Sequence, residues 1–260
     1  MTRSTLRRAD RVSSILERLA HNGSVDATEL AKQFAVSPAT IRRDLQMLDD
    51  QKLLTRKHGG AVVADETYEL PVAYRGGQHR EVKRAIARCA VARLPHGPLT
   101  IGLTGGTTTY EVARLVAERF DLTVVTNALN IGIELALRPR LKLIMTGGVN
   151  RTQSYELVGP LADNALAGLN IGVAIVGVDG ISAHGGLTTH DEIEAHTNAA
   201  MIARAARSIV VADGSKVGQV FLARICPVGN VSELITDQSA DPAALDLIRR
   251  SGTEVIIADA

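Results

Sequence analysis

From residue 99 onward, short apolar runs alternate with longer stretches of helical period, and this alternation limits the fold more than any other feature. The runs are LTIGLT (99–104), LTVVT (122–126), LKLIMT (141–146), VAIVGV (173–178), SIVVAD (208–213), ELIT (233–236) and EVIIAD (254–259). Between them lie YEVARLVAERF (110–120), LNIGIELAL (129–137), ADNALAGL (162–169), EIEAHTNAAMIARAA (192–206) and PAALDLIRR (242–250). Runs this apolar suit strands buried on both faces, and repeated β-α units predict a mainly parallel sheet covered by helices.

The first 62 residues follow a different pattern. Val12, Ile15, Leu16 and Leu19 share one helical face. DATELAKQF reads as a second helix with Asp26 as its N-cap, and Ser37-Pro38 as the cap and first residue of a third that runs to about Gln51. LLTRKHGGAVV (53–63) then reads as two short strands around a basic, glycine-containing turn. Three helices and a ribbon predict a winged helix-turn-helix at 1–62. Pro71 and Gly76-Gly77 mark 63–80 as a linker, and an α/β domain is expected at 81–260.

Charge separates the same two regions. Residues 1–60 hold 11 Lys and Arg against 7 Asp and Glu, whereas the rest holds 18 against 21. A small basic module on a mildly acidic body points to a polyanion as the module's partner. Aromatics are 3% with no Trp, which argues against base stacking as a mode of recognition. No apolar run approaches the ~20 residues needed to span a bilayer, and no secretory signal is visible at the N-terminus. Two distant cysteines, Cys89 and Cys226, lack metal-knuckle spacing and fit a reducing cytoplasm.

With Ile41 turned inward on the third helix, Arg43 and Gln46 face outward and Arg42 lies on the flank. A DNA major groove suits such a face, because Arg grips guanine and Gln grips adenine in bidentate fashion. The hydroxyls of Ser37 and Thr40 suit phosphate oxygens, and Arg56, Lys57 and His58 of the wing are placed to reach phosphate or an adjacent minor groove. Gly59-Gly60 allows a tight reversal that brings the backbone close to the duplex. Asp44 falls on the inward edge and reads as the partner of a first-helix arginine.

In the α/β region, polar loops follow the strand runs. Gly105-Gly106 leads into Thr107, Thr108 and Thr109, where glycine lets amides approach an anion at a positive helix end. No Lys stands where a Walker loop would need one. Thr126-Asn127, Gly147-Gly148, GVDG (177–180) and ADGSK (212–216) are comparable loops. Ligands of open parallel sheets gather outside the carboxyl ends of strands, so a small phosphorylated ligand is expected. His190 and Glu194 stand i,i+4, but no third metal ligand is placed by spacing; neither a metal nor a cofactor is expected.

The stretch ELAKQFAVSPATIRRDLQMLDDQKLLTRKHGGAV resembles the DNA-binding signature of the DeoR family of bacterial transcriptional regulators, including VSPATIRRDL and the terminal HGGA. Lys52 stands where that family usually has glycine. The resemblance continues to about residue 235 through TGGTTT, TNAL, TGG and ADGSKVG, and implies a sensor domain similar in fold to ribose-5-phosphate isomerase. It further implies that Gly105 to Thr109 hold a phosphate and that Asp179, Glu194 and Lys216 face the sugar. Where the family often has Lys, this chain has Asn198.

Two functions follow. One is a repressor of sugar or polyol catabolism genes that binds a double-stranded DNA operator as a homodimer or homotetramer and is released by a phosphorylated metabolite. The helix after the linker is its candidate dimer element. The other is a sugar-phosphate isomerase, with Asp179 or Glu194 as base and Lys216 stabilising an enediolate. The N-terminal module favours the regulator, since an isomerase has no use for a groove-reading helix.

Overall fold

The computed structural model describes residues 8–63, 69, 71–75, 79–119 and 121–259, so half of the expected linker falls outside it. The chain divides into two compact units, Met1–Gln78 and His79–Ala260. Among the described residues no helix is long and apolar enough to cross a membrane.

In the first unit, α1 (Arg8–Asn22) is followed by β1 (Ser24–Asp26), α2 (Ala27–Phe34), α3 (Pro38–Asp50), β2 (Thr55–Lys57), β3 (Gly60–Val62) and the single turn α4 (Val72–Arg75). Ile15, Leu16 and Leu19 of α1 meet Leu30 and Phe34 of α2 and Ile41, Leu45 and Leu48 of α3 in one buried core. Local chemistry sets the helix ends. The Asp26 carboxylate accepts from the amides of Thr28 and Glu29 at 2.8 and 2.9 Å. The Ser37 hydroxyl accepts from the Thr40 amide at 3.1 Å, with Pro38 in the first turn, where its missing N–H costs nothing.

The wing differs from expectation in one element. β1 pairs antiparallel with β3, so the ribbon has three strands in the order β1-β3-β2. This also explains the glycine pair. Gly59 has φ +86° and makes the turn, while a Cβ on Gly60 would lie 1.9 Å from the Val25 carbonyl oxygen. Gly60 therefore also admits the backbone of β1 at close range, a role that the sequence did not show.

In the second unit, α5 (Arg80–Ala92), β4 (Leu99–Leu103), α6 (Thr107–Val116), β5 (Leu122–Thr126), α7 (Leu129–Ala136) and β6 (Lys142–Met145) come first. A hairpin of β7 (Val149–Arg151) and β8 (Glu156–Val158) leads to α8 (Pro160–Ala167) and β9 (Ile171–Val176). Then come β10 (Gly180–Ser182), β11 (Gly186–Thr189), α9 (Glu192–Ala203), β12 (Ala205–Val211), β13 (Ala223–Cys226), β14 (Glu233–Thr236), α10 (Pro242–Arg250) and β15 (Glu254–Ile257).

The seven anticipated runs form one sheet in the order β15-β14-β12-β9-β4-β5-β6, parallel throughout. Successive residues feed opposite cores: Val173, Ile175, Ile209 and Val211 pack with α5 and α6, and Ala174, Val176, Val210 and Ala212 pack with α9 and α10. That is why these strands show no polar alternation. α5 buries Ile86, Ala87 and Ala90 in its own unit's core. The small antiparallel sheet β10-β11-β13 and the β7-β8 hairpin went unpredicted, being strands of three or four residues without a hydrophobic period.

α3 ends in a Schellman arrangement: the Leu53 amide donates to the Leu48 carbonyl and the Lys52 amide to that of Asp49, both at 2.9 Å. Lys52 has φ +60°, the left-handed region that favours glycine. Lys52→Gly should therefore stabilise the first unit by roughly 0.5–1 kcal/mol, the left-handed penalty less the entropy glycine loses on folding. Slower hydrogen exchange of the α3 amides in the full chain would register the gain; unchanged or faster exchange would refute it.

Candidate functional site

On α3 the buried stripe is Ile41, Asp44, Leu45 and Leu48, which leaves Arg42, Arg43 and Gln46 exposed. Asp44 faces α1, where Arg11 Nε lies 2.7 Å from its Oδ2 and Arg8 Nε 3.4 Å from its Oδ1. This locks the recognition helix to the first helix, as the inward position implied. A cleft of about 450 Å³ runs between the start of α3 and the wing, lined by Pro38, Arg42, Arg56, Lys57 and His58 among others. The two basic clusters of the sequence thus meet across one concavity. The side chains of Arg42, Arg43, Lys57 and His58 make no hydrogen bond or ion pair with any described residue.

The four other candidates are engaged. The Ser37 and Thr40 hydroxyls lie 2.9 Å apart and cap the helix. The Gln46 amide donates to Asp50 Oδ1 at 2.8 Å, and Arg56 donates to Gln46 Oε1. The Arg56 amide also donates to Asp49 Oδ1 at 3.3 Å. The wing is therefore tied to the C-terminal half of α3 through Arg56, a contact that sequence spacing did not suggest.

In the second unit, the chain runs from β4 through β5 to β6 on one side, then crosses back to place β9 on the other side of β4. The strand order reverses there, and a crevice opens at the carboxyl ends of such neighbours. Across it the Gly177 amide donates to Thr104 Oγ1 at 3.0 Å, and a Cβ on Gly177 would come 2.8 Å from the Gly105 carbonyl oxygen. α6 starts beyond Gly106 (φ +126°) with no side-chain cap, so its first-turn amides point outward at the positive end of the helix. Thr107, Thr108 and Thr109 lie in that first turn rather than in the loop; Thr109 is fully buried and donates to the Gly106 carbonyl at 3.0 Å.

The remaining candidates divide. Thr126 Oγ1 donates to the Leu103 carbonyl at 2.7 Å and accepts from the Ala128 amide at 3.1 Å, a structural task. Asn127 is buried with its Oδ1 unpartnered. Gly147 has φ +70°, and a Cβ on Gly148 would approach the Val158 backbone to 2.9 Å, so this glycine pair serves the β7-β8 hairpin. Lys216 follows β12, two strands or roughly 10 Å from β4. It has no ion-pair partner among the described residues.

Asp179 and Glu194 come together with His190, and with Thr189 and Arg151, which spacing did not single out. Thr189 Oγ1 donates to Asp179 Oδ2 at 2.9 Å and lies 2.6 Å from Glu194 Oε1; His190 Nδ1 lies 2.9 Å from Asp179 Oδ2. Arg151, on β7, pairs with Glu194 at 3.1 Å and with Asp191 at 3.2 Å. Burial raises the Glu194 carboxyl above its ordinary range, against the pull of the Thr189 hydrogen bond and Arg151. Glu156 is buried and accepts from the Gly105 amide at 2.5 Å. Burial, and then the nearby Glu194 carboxylate, raise its carboxyl well above the ordinary range. A carboxylate inside the apolar run YELVG was the available signal for it. Cys226, whose thiol burial raises to about 11, packs as a small apolar side chain.

Comparison with known proteins covers nearly the whole chain. Residues 11–67 match the DeoR-like helix-turn-helix domain and residues 78–238 the DeoR C terminal sensor domain. A protein of Escherichia coli O157:H7 named as an aga operon transcriptional repressor is 34% identical over 252 residues, 96% of this chain and 93% of its own. The glycerol-3-phosphate regulon repressor of Escherichia coli K12 is 31% identical over 232 residues, 89% and 92% of the two chains. The solved ribose 5-phosphate isomerase A of Methanocaldococcus jannaschii is 16% identical, covers 56% of each chain and superposes with a TM-score of 0.40, too slight a likeness to bear on function.

Removing the Asp44 carboxylate takes away the charge that faces the buried Arg11. Asp44→Ala should cost the first unit about 3–5 kcal/mol. Loss of α3 amide protection while the second unit's amides keep theirs is the expected result; unchanged protection would show that the pair contributes nothing.

Proposed function

The chain belongs to the DeoR family of transcriptional regulators, and from that premise we propose an operator-binding repressor of sugar or polyol catabolism genes that a phosphorylated sugar releases. The observation that carries the reading is the pairing, in one chain, of an outward cationic helix and wing with an uncapped helix N-terminus at a strand-order reversal. Arg43 reads guanine and Gln46 adenine, while Ser37, Thr40, Arg42, Lys57 and His58 hold phosphates. Arg56 leaves Gln46 for a phosphate on binding, which frees Gln46 Oε1 for a base. The effector phosphate sits on Gly105, Gly106 and Thr107 to Thr109. Asp179, Glu194, Asn127 and Lys216 face the sugar, with Thr126, Gly147 and Gly148 shaping the rim.

A homodimer or homotetramer in the cytoplasm presents two recognition helices to successive half-sites. The effector prefers the state whose DNA heads are misplaced, and that difference in affinity sets the response. The isomerase alternative finds no support in the family, whose members are regulators. The carboxylates it would need are also occupied, Glu194 by Arg151 and Asp179 by Thr189 and His190.

Arg43→Ala should cost ~1–3 kcal/mol at the operator and relax preference at one base position, and Lys57→Ala should weaken all sequences evenly and lower the salt slope by about one. Operator binding measured against salt and against single-base variants separates the two; an unaltered base preference in Arg43→Ala would place the reading face elsewhere.

Gly106→Asp puts a carboxylate where the phosphate would lie, so the variant should hold its operator and ignore every phosphorylated sugar that releases the parent. Release of Gly106→Asp by the same compound would sink the assignment of the loop. Conversion of that compound, followed by phosphorus NMR, would revive the enzyme.

A further inference from the structure

The loop assigned to the phosphate has an acidic neighbour, which is unexpected for an anion site. Glu156 comes in from β8 and places Oε1 on the Gly105 amide at 2.5 Å, the same row of N–H groups that continues into α6. A Cβ on Gly105 would meet Glu156 Cγ and Oε1 at 2.5 Å, so nothing separates the carboxylate from the loop. Its other oxygen, Oε2, is buried without a hydrogen-bond partner. The charged surroundings do not neutralise it. Glu194 of α9 and Asp179 after β9 add negative charge, and Arg151 of β7 is committed to Glu194 and Asp191. His190, which follows β11, is turned to Asp179, and the Asn198 side chain of α9 favours the ionised form through a hydrogen bond but, being neutral, does not cancel its charge. The proton that a buried, orphaned carboxyl oxygen calls for has nowhere to come from but solvent.

An anion seated on the amides of Gly106 and Thr107 would stand one or two residues from this carboxylate, and like charges that close are not ionised together at small cost. We propose that Glu156 is the proton-taking partner of the phosphate loop: a bound anion and an ionised Glu156 exclude one another, so each anion bound brings one proton onto Glu156. The inference rests on the reading of Gly105 to Thr109 as the phosphate loop. It makes the effector response a function of pH. Affinity is level below the carboxyl's own titration and falls about tenfold per pH unit above it, because one proton is linked to one anion.

Sulfate is the probe, since it mimics a phosphate dianion and carries no titrating proton of its own between pH 6 and 9. Titrated into the full-length protein, it should shift the Gly105 to Thr109 amide resonances, and its dissociation constant should weaken about tenfold per unit once the pH passes the point at which Glu156 ionises. Glu156→Gln keeps an oxygen on the Gly105 amide and should bind sulfate equally at every pH, tighter than the parent wherever the parent's affinity falls. His190→Gln should keep the parent's slope. A slope lost in His190→Gln and kept in Glu156→Gln would move the proton to the histidine and overturn the proposal. A flat parental profile with the loop amides still shifting would overturn it and leave the phosphate loop intact, whereas loop amides that ignore sulfate at every pH would remove both. If Glu156→Gln fails to fold, calorimetry of the parent in buffers of different ionisation enthalpy counts the protons directly. The figure should rise towards one per sulfate on the falling limb of the affinity profile, and none at any pH would overturn the proposal.

Discussion

Parallel pairing is the constraint on which the second unit depends. Two parallel strands cannot be joined by a tight turn, so each strand is followed by a crossover that returns the chain to the same edge. Every segment that leaves a strand therefore starts at one end of the sheet. In this chain that end receives Thr104-Gly105-Gly106 from β4, Thr126-Asn127 from β5, Gly177 from β9 and the turn to Lys216 from β12. The reversal of strand order at β4 and β9 leaves the first and third of these facing each other without an intervening crossover. Gly177 is glycine because the Gly105 backbone comes too close for a Cβ, and Gly105 is glycine because the Glu156 side chain lies against it.

The first unit is organised around a buried charge instead. Three short helices bury few large side chains, and Asp44 takes an inward position that a leucine would otherwise fill. Its contacts with Arg8 and Arg11 set the rotation of α3 about its own axis, and this rotation decides which residues face outward. Arg42, Arg43 and Gln46 owe their exposure to it. The glycine pair of the wing works similarly at short range, since Gly60 admits β1 to the ribbon and so brings Lys57 and His58 to the edge of the cleft.

The two units carry opposite electrostatics. The outward face of α3 and the wing collects cations that no described residue neutralises, which suits a polyanion. The sheet end collects Glu156, Asp179 and Glu194 around an uncapped helix start, where backbone amides add positive potential and Arg151 is paired with Glu194. Amides keep their partial charge at every pH and carboxyls do not. A site built from both is sensitive to protons in a way that an arginine cluster would not be.

Much of this was legible in the linear chain. The seven strands of the large sheet were each marked by an apolar run, because a strand buried on both faces has no position at which water would favour a polar side chain. The second and third helices of the first unit announced themselves through Asp26, Ser37 and Pro38, whose roles are local and need no tertiary partner, and the first through the spacing of Val12, Ile15, Leu16 and Leu19. Asp44 was legible too, since helical periodicity alone placed it inward. Tertiary structure decided what depends on distant segments meeting. β1 and the β7-β8 hairpin are too short to declare a period and exist through pairing with β3 and with each other. The hold of Arg56 on Gln46 and of Glu156 on the Gly105 amide joins residues 10 and 51 positions apart. No spacing rule reaches across such distances; the register of packed elements does.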